Sequence, residues 1–197
     1  MWIEPLTLTG QIIRLEPLSL AHTADLVAAA QSEEIWQYLP YGLVQTAVKM
    51  QGLIQSLLSK QQQGSDLPFA VIHVGDGKAV GMTRYMEMRP QHRGLEIGGT
   101  WYGPDYQRTA VNTEAKYLLL QHAFEVMNCL RVQLKTDQRN IRSQKAIERI
   151  GAVKEGTLRQ HIVMPDGYIR DTIYYSILDK EWPHVKASLR QKLSLPA

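Results

Sequence analysis

A chain of 197 residues with 44% apolar and 21% charged residues is long enough to bury a core of its own and reads as one globular domain spanning 1–197. Its formal charge of +3 comes from Lys and Arg that are scattered rather than gathered into runs, which argues against a nucleic-acid binder. The single cysteine, Cys129, excludes an internal disulfide, and no Cys/His cluster stands at metal-ligand spacing, so no metal is expected.

The opening Met1-Trp2-Ile3-Glu4-Pro5 lacks the basic start and apolar run of a signal peptide, and no stretch approaches membrane-spanning length; the expected location is the cytoplasm. Residues 10–18 read as a short first strand ending at Pro17. Ser19 caps a predicted helix that runs to about Gln31, with Leu20, Ala24, Val27 and Ala28 as its apolar stripe. A second helix is predicted over about 45–62, burying Val48, Leu53, Ile54, Leu57 and Leu58. Trp36 to Gly42 forms the loop between them. From Pro68 the period changes to two: residues 69–74 and 79–85 flank Gly75-Asp76-Gly77, a strong hairpin signal. A strand from Leu95 to Tyr102 stops at Gly103-Pro104. Residues 113–127 predict the clearest helix, with Ala115, Leu118, Leu119, His122 and Val126 on adjacent faces. Residues 130–135 alternate strictly and predict a half-buried strand. A helix over about 141–150 ends at Gly151, and two strands, about 157–164 and 168–178, meet at Pro165-Asp166-Gly167. The expected order is β α α β β β α β α β β.

The turn from the strand ending at Tyr102 into the helix near Thr113 makes an anion site, because first-turn amides lack partners and the helix dipole favours negative charge. Gly98-Gly99 inside a strand points either to an ordinary edge or to a bulge with close backbone approach. Direct transfer to an amine needs a base, since an ammonium has no lone pair, and Glu96 is the candidate; its alternative is a solvated carboxylate on a strand. His92 and His161 are fallback bases. Cys129, between a helix and a strand with no evident His partner, reads as a buried structural thiol rather than a nucleophile.

The segment 98–115, GGTWYGPDYQRTAVNTEA, is similar to the acetyl-coenzyme-A motif of the GNAT superfamily, and more narrowly to the branch containing bacterial ribosomal-protein N-terminal acetyltransferases. The likeness continues through Asn140-Ile-Arg-Ser143 with Ile150-Gly-Ala152, through 166–171 and 175–178, and touches Arg14 to Leu18. It implies an α/β fold of mixed α+β character: a central, mostly antiparallel twisted sheet of about seven strands, helices on both faces, and splayed central strands. It implies acetyl-coenzyme A as co-substrate, its diphosphate held by the amides of Gln107, Arg108, Thr109, Ala110, Val111, Asn112 and Thr113. Ala110 and Asn112 depart from the small residues of the family's Gln/Arg-x-x-Gly-x-Gly/Ala loop, where glycine permits close approach to phosphate. The same resemblance implies that a bulge at Gly98-Gly99 parts two strands and that the backbone of Thr100, Trp101 and Tyr102 bonds the pantetheine arm, one amide polarising the thioester carbonyl.

Glu96 stands eleven residues before Gln107, the separation of the catalytic glutamate in the histone-acetylating branch. The tyrosine that many members place seven residues after the asparagine is Ile147 here; Ser143, three residues after Asn140, matches the serine that protonates the leaving thiolate in the ribosomal branch. A first-turn or capping serine is its alternative. Asn140 is expected to bond the pantetheine amides, with helix capping as its other reading. The leading function is acetyl transfer in a ternary complex to a primary amine, either a protein N-terminus or a small molecule. A non-catalytic coenzyme-A-binding sensor is the alternative of a different class. A second copy of the chain remains an open option as partner, with no nucleic acid and no membrane.

Overall fold

The structure, a computed structural model, describes residues 4–195; Met1-Trp2-Ile3 of the signal-peptide reading lie outside them. Alternating sequence becomes eight strands: β1 (Leu8–Thr9), β2 (Ile13–Pro17), β3 (Leu67–His73), β4 (Ala79–Arg89), β5 (Gly94–Tyr102), β6 (Arg131–Asp137), β7 (Val153–Val163) and β8 (Ile169–Leu178). They join in one sheet in the order β1-β2-β3-β4-β5-β6-β8-β7, eight strands against the expected seven or so. Every pairing is antiparallel except β5 with β6. That parallel pair requires a crossover, which α3 (Val111–Gln121) supplies.

Helices cover the two faces separately. On one face α3 and α5 (Trp182–Lys192) pack on Leu15, Phe69, Tyr85, Leu95, Leu134 and Ile173, all essentially buried. On the other face α1 (Thr23–Ala29) and α2 (Ala47–Gln62) cover Ala70, Ile72, Met82 and Trp101. Each Leu or Ile so buried contributes about 1.5–3 kcal/mol. The shorter α4 (Ile141–Arg149) inserts Ile147 into the first of these cores.

Several sequence expectations change. The segment after Ser19 opens with a 3₁₀ turn (Leu20–His22), which rotates the helix: Thr23, Leu26 and Ala30 are buried while Leu20 is 46% exposed. In α2 the buried face is Met50, Ile54 and Leu57, and Val48 is 79% exposed. The helix expected over 113–127 starts two residues earlier and ends at Gln121; a π turn, His122–Val126, follows and swings Val126 out to solvent. β6, expected half-buried, lies between β5 and β8 with both faces largely covered. β7 starts at Val153 rather than 157. β1 and α5 are absent from the expected order. Trp182, Val185 and Leu189 nonetheless recur at helical spacing and Pro183 sits in the first turn, a position proline favours.

Candidate acyl-transfer site

Glycine opens the site. β4 and β5 pair Met82 with Trp101 but Arg84 with Gly98, so two β5 residues, Gly99 and Thr100, stand opposite Thr83 alone: a β-bulge. Gly99 takes the left-handed conformation, φ +59°, that glycine adopts without penalty. On its other edge β5 pairs with β6 only from Gly94↔Arg131 to Glu96↔Gln133; beyond Glu96 the two strands part. A cavity of about 990 Å³ occupies this gap.

At one end of the cavity lies the turn into α3. The first intrahelical bond is Glu114 N–H to the Ala110 carbonyl, 2.9 Å, so the amides of Val111, Asn112 and Thr113 precede the hydrogen-bonded ladder. Val111 N–H donates to Thr109 Oγ1 at 3.2 Å. The residue that uses glycine-like freedom here is Arg108, φ +60°; Ala110 sits at φ −72° in ordinary helical backbone. The alanine and asparagine that depart from the family loop therefore do not distort this turn. Gln107 latches it: its Nε2 donates to the Tyr102 carbonyl (2.9 Å) and its Oε1 accepts from Arg142 Nη1 (3.1 Å). Arg108, Arg142, Lys145 and Arg149 line the cavity at this end, a cation-rich mouth suited to a diphosphate.

The opposite wall is the polar part of the sheet face that α1 and α2 leave uncovered. Paired residues share a face, so Glu96, Gln133 and Ser176 align, as do Lys135 with Tyr174 and Asp137 with Thr172. Glu96 is 1% exposed, accepts from Gln133 Nε2 (2.8 Å) and faces Lys135 Nζ at 3.2 Å. Burial holds its carboxyl above the usual carboxylate range, with Lys135 and Gln133 pulling the other way. Asp137, fully buried, accepts from the backbone and guanidinium of Arg139 and so fixes the turn before α4. At the start of α4, Asn140 Oδ1 accepts from Ser143 N–H at 2.9 Å, the capping interaction. Ser143 is half-buried, and its hydroxyl makes no protein hydrogen bond among the described residues.

Most of the residues singled out from sequence thus meet in one cavity: Glu96, Thr100, Trp101 and Tyr102 from β5, Gln107, Arg108, Thr109 and Asn112 from the turn and helix, Asn140 and Ser143 from α4. Ala110, Val111 and Thr113 do not line it. His92 lies on an exposed turn (Pro90–His92) and His161 on exposed β7, both outside the cavity lining. Cys129 is buried, and burial pushes its thiol up to about 12, the behaviour of a structural cysteine. Two residues of the site escape the sequence reading. Lys135 reads there as the solvated position of an alternating strand. Lys116 interrupts the apolar series Leu119, Leu120 and Ala123 at helical spacing, and that interruption is a usable signal.

A sheet parted between parallel neighbours, with an amide-rich helix start at one end of the gap and a buried carboxylate at the other, defines an acyltransferase of the kind that takes its acyl group from a long phosphorylated carrier. The chain belongs to the GNAT acetyltransferase family: the pattern of the acetyltransferase (GNAT) domain matches residues 13–153. It is 32% identical over 107 residues to YdaF of Bacillus subtilis (strain 168), provisionally named a ribosomal N-acetyltransferase; the match covers 54% of this chain and 57% of YdaF. Among solved structures, an acetyltransferase from T. thermophilus superposes with a TM-score of 0.89 at 38% identity, covering 98% of this chain and 100% of that one. Mycobacterium smegmatis RimJ, solved in complex with CoA-disulfide, shares the fold at a TM-score of 0.79 and 20% identity, with 97% and 93% covered. Among the described residues no helix is long and apolar enough to cross a membrane, and no group of His, Cys, Asp and Glu is arranged to hold a metal.

Proposed function

We propose that the chain moves an acetyl group from acetyl-coenzyme A to a primary amine, with a protein N-terminal amine, such as that of a ribosomal protein, as acceptor. The observation that carries this reading is the gap between β5 and β6, which runs from the cation-rich start of α3 to buried Glu96. The names of YdaF and RimJ support the acceptor. The cavity's arginines and the first amides of α3 hold the diphosphate, and the unpaired β5 edge from Thr100 to Tyr102 bonds the arm. Bound there, the carrier supplies an acetyl group activated as a thioester. Glu96, directly or through a water, takes the proton that frees the amine's lone pair. A strand amide stabilises the oxyanion, Asn140 orients the arm, and Ser143 donates to the departing sulfur.

Thiol release from acetyl-coenzyme A, followed over a panel of small amines and of peptides with free or blocked N-termini, tests both levels. Release dependent on a free peptide N-terminus is the expected result. Binding without amine-dependent release from any acceptor would remove the transferase reading for these residues, and release with small amines only would move the acceptor class. Glu96→Gln should lower the rate at least about 10²-fold and flatten the rising limb of the pH profile, which lies above the ordinary carboxylate range because its pKa is raised. An unchanged profile would take the base role from Glu96.

A further inference from the structure

Lys116 lies on the second turn of α3, 5% exposed, in the wall of the gap. Its Nζ donates to Thr100 Oγ1 at 2.6 Å, and Thr100 Oγ1 shares a hydrogen bond with Thr83 Oγ1 at 2.8 Å. No carboxylate stands within ion-pair distance of it among the described residues. The titratable groups around it are engaged elsewhere: Glu114 with the amides of Gln11, Ile12 and Ile13, Arg149 with Thr113, Tyr102 with Asn112, and Tyr85 with the Leu119 carbonyl. An ammonium buried with one neutral partner and no counter-ion is costly, and burial alone brings Lys116 down to about 7. A lysine in this setting stabilises an anion brought to it.

The sheet has two sides, and they divide the chemistry. Glu96 faces the side of α1 and α2, whereas Thr100 and Lys116 face α3, the side on which the diphosphate amides begin. A carrier that enters from α3 leaves its sulfur on Lys116's side of the gap, while the amine approaches from the side of Glu96. We propose that Lys116 is the acid facing the carrier's sulfur: as the amine nitrogen bonds to the acetyl carbon and the carbon–sulfur bond breaks, the sulfur takes the bonding pair and Lys116 gives it a proton. Neutral Lys116 is then reprotonated from solvent, and the amine's own proton leaves by Glu96. A serine hydroxyl is too weak an acid to carry this charge alone, so Ser143 serves as hydrogen-bond donor beside it. The inference rests on the acetyl-transfer reading.

The test uses the intact protein with coenzyme A and with desulfo-coenzyme A. Ultraviolet titration of the bound thiol in wild type, Lys116→Met and Lys116→Gln reads the charge at the sulfur directly. The expected result is a thiol pKa lower in wild type by at least about one unit than in either variant. At a pH where the thiolate is populated, wild type should prefer coenzyme A over desulfo-coenzyme A about tenfold more than the variants do. The glutamine variant keeps a hydrogen-bond donor without charge, so it separates charge from contact. If thiol pKa and preference are the same in all three proteins, or if both ligands weaken equally, Lys116 does not face the sulfur and the proposal falls. Failure of wild type to bind either ligand would instead overturn the acetyl-transfer reading beneath it.

Discussion

Lys116 carries a stability signature that is separable from its chemistry. Its side chain titrates from 10.5 in a solvated chain down to about 7 in the fold, so between those values the unfolded state holds a proton that the folded state lacks. Stability therefore falls as pH is lowered from about 10.5 to 7, at up to about 1.4 kcal/mol per unit, and levels off below. Lys116→Met removes the penalty. Urea denaturation of both proteins between pH 7 and 10 should show the variant gaining on wild type as pH falls, with m unchanged; parallel curves would mean the lysine is not buried as a cation. Single residues are unevenly legible. The spacing of Glu96 before Gln107 marks the carboxylate, yet its partners Gln133 and Lys135 come from another strand and leave no local trace. Asn140 shows the capping bond that its type predicts, while Ser143 is readable only through the family pattern.

At the scale of elements, α3 is held by one carboxylate. Glu114, 2% exposed, accepts from three successive amides, Gln11 (2.8 Å), Ile12 (2.8 Å) and Ile13 (2.7 Å), at the turn between β1 and β2. Gly10 makes room for it, since a Cβ there would lie 2.4 Å from the carboxylate carbon. Glu114→Ala strands three donors and should cost roughly 3 kcal/mol or more, read as a lower denaturation midpoint, and should weaken coenzyme A binding because α3 carries the phosphate amides. A loss under about 1 kcal/mol would mean that water replaces the carboxylate. The bulge has its own test. Gly99→Ala puts a side chain at φ +59° and within 3.2 Å of Arg84 and Tyr41, so it should destabilise by about 1 kcal/mol or more and narrow the gap, raising the KM for the carrier. Element type is largely readable from period and turn chemistry, as in the hairpin around Asp76. Which face of α1 is buried is not, because the 3₁₀ turn before it resets the phase.

The whole molecule is a sheet with divided duties: one side covered end to end by α3, α4 and α5, the other covered by α1 and α2 only over β3, β4 and part of β5. The uncovered remainder is the polar strip that holds Glu96, Lys135 and Tyr174. A ligand that fills the gap ties β5, β6, α3 and α4 together. Acetyl-coenzyme A at 100 times its Kd should therefore stabilise the fold by about 2.7 kcal/mol, seen as a thermal shift of several degrees, and an unshifted Tm at saturating concentration would contradict the site.

By itself the sequence determined the succession of strands and helices, the hairpin and helix-end turns, the glycine pair at the bulge and the family pattern across the chain. These are legible because period, φ requirement and capping act over a few neighbouring residues. Only the tertiary structure decided that β5 and β6 part after Glu96, that polar side chains of β6 and β8 are buried as a site wall, and that Lys116 meets Thr100 without a counter-ion. Each of those depends on partners far apart in the chain, and burial changes what a charged residue does only once the sheet has brought them together.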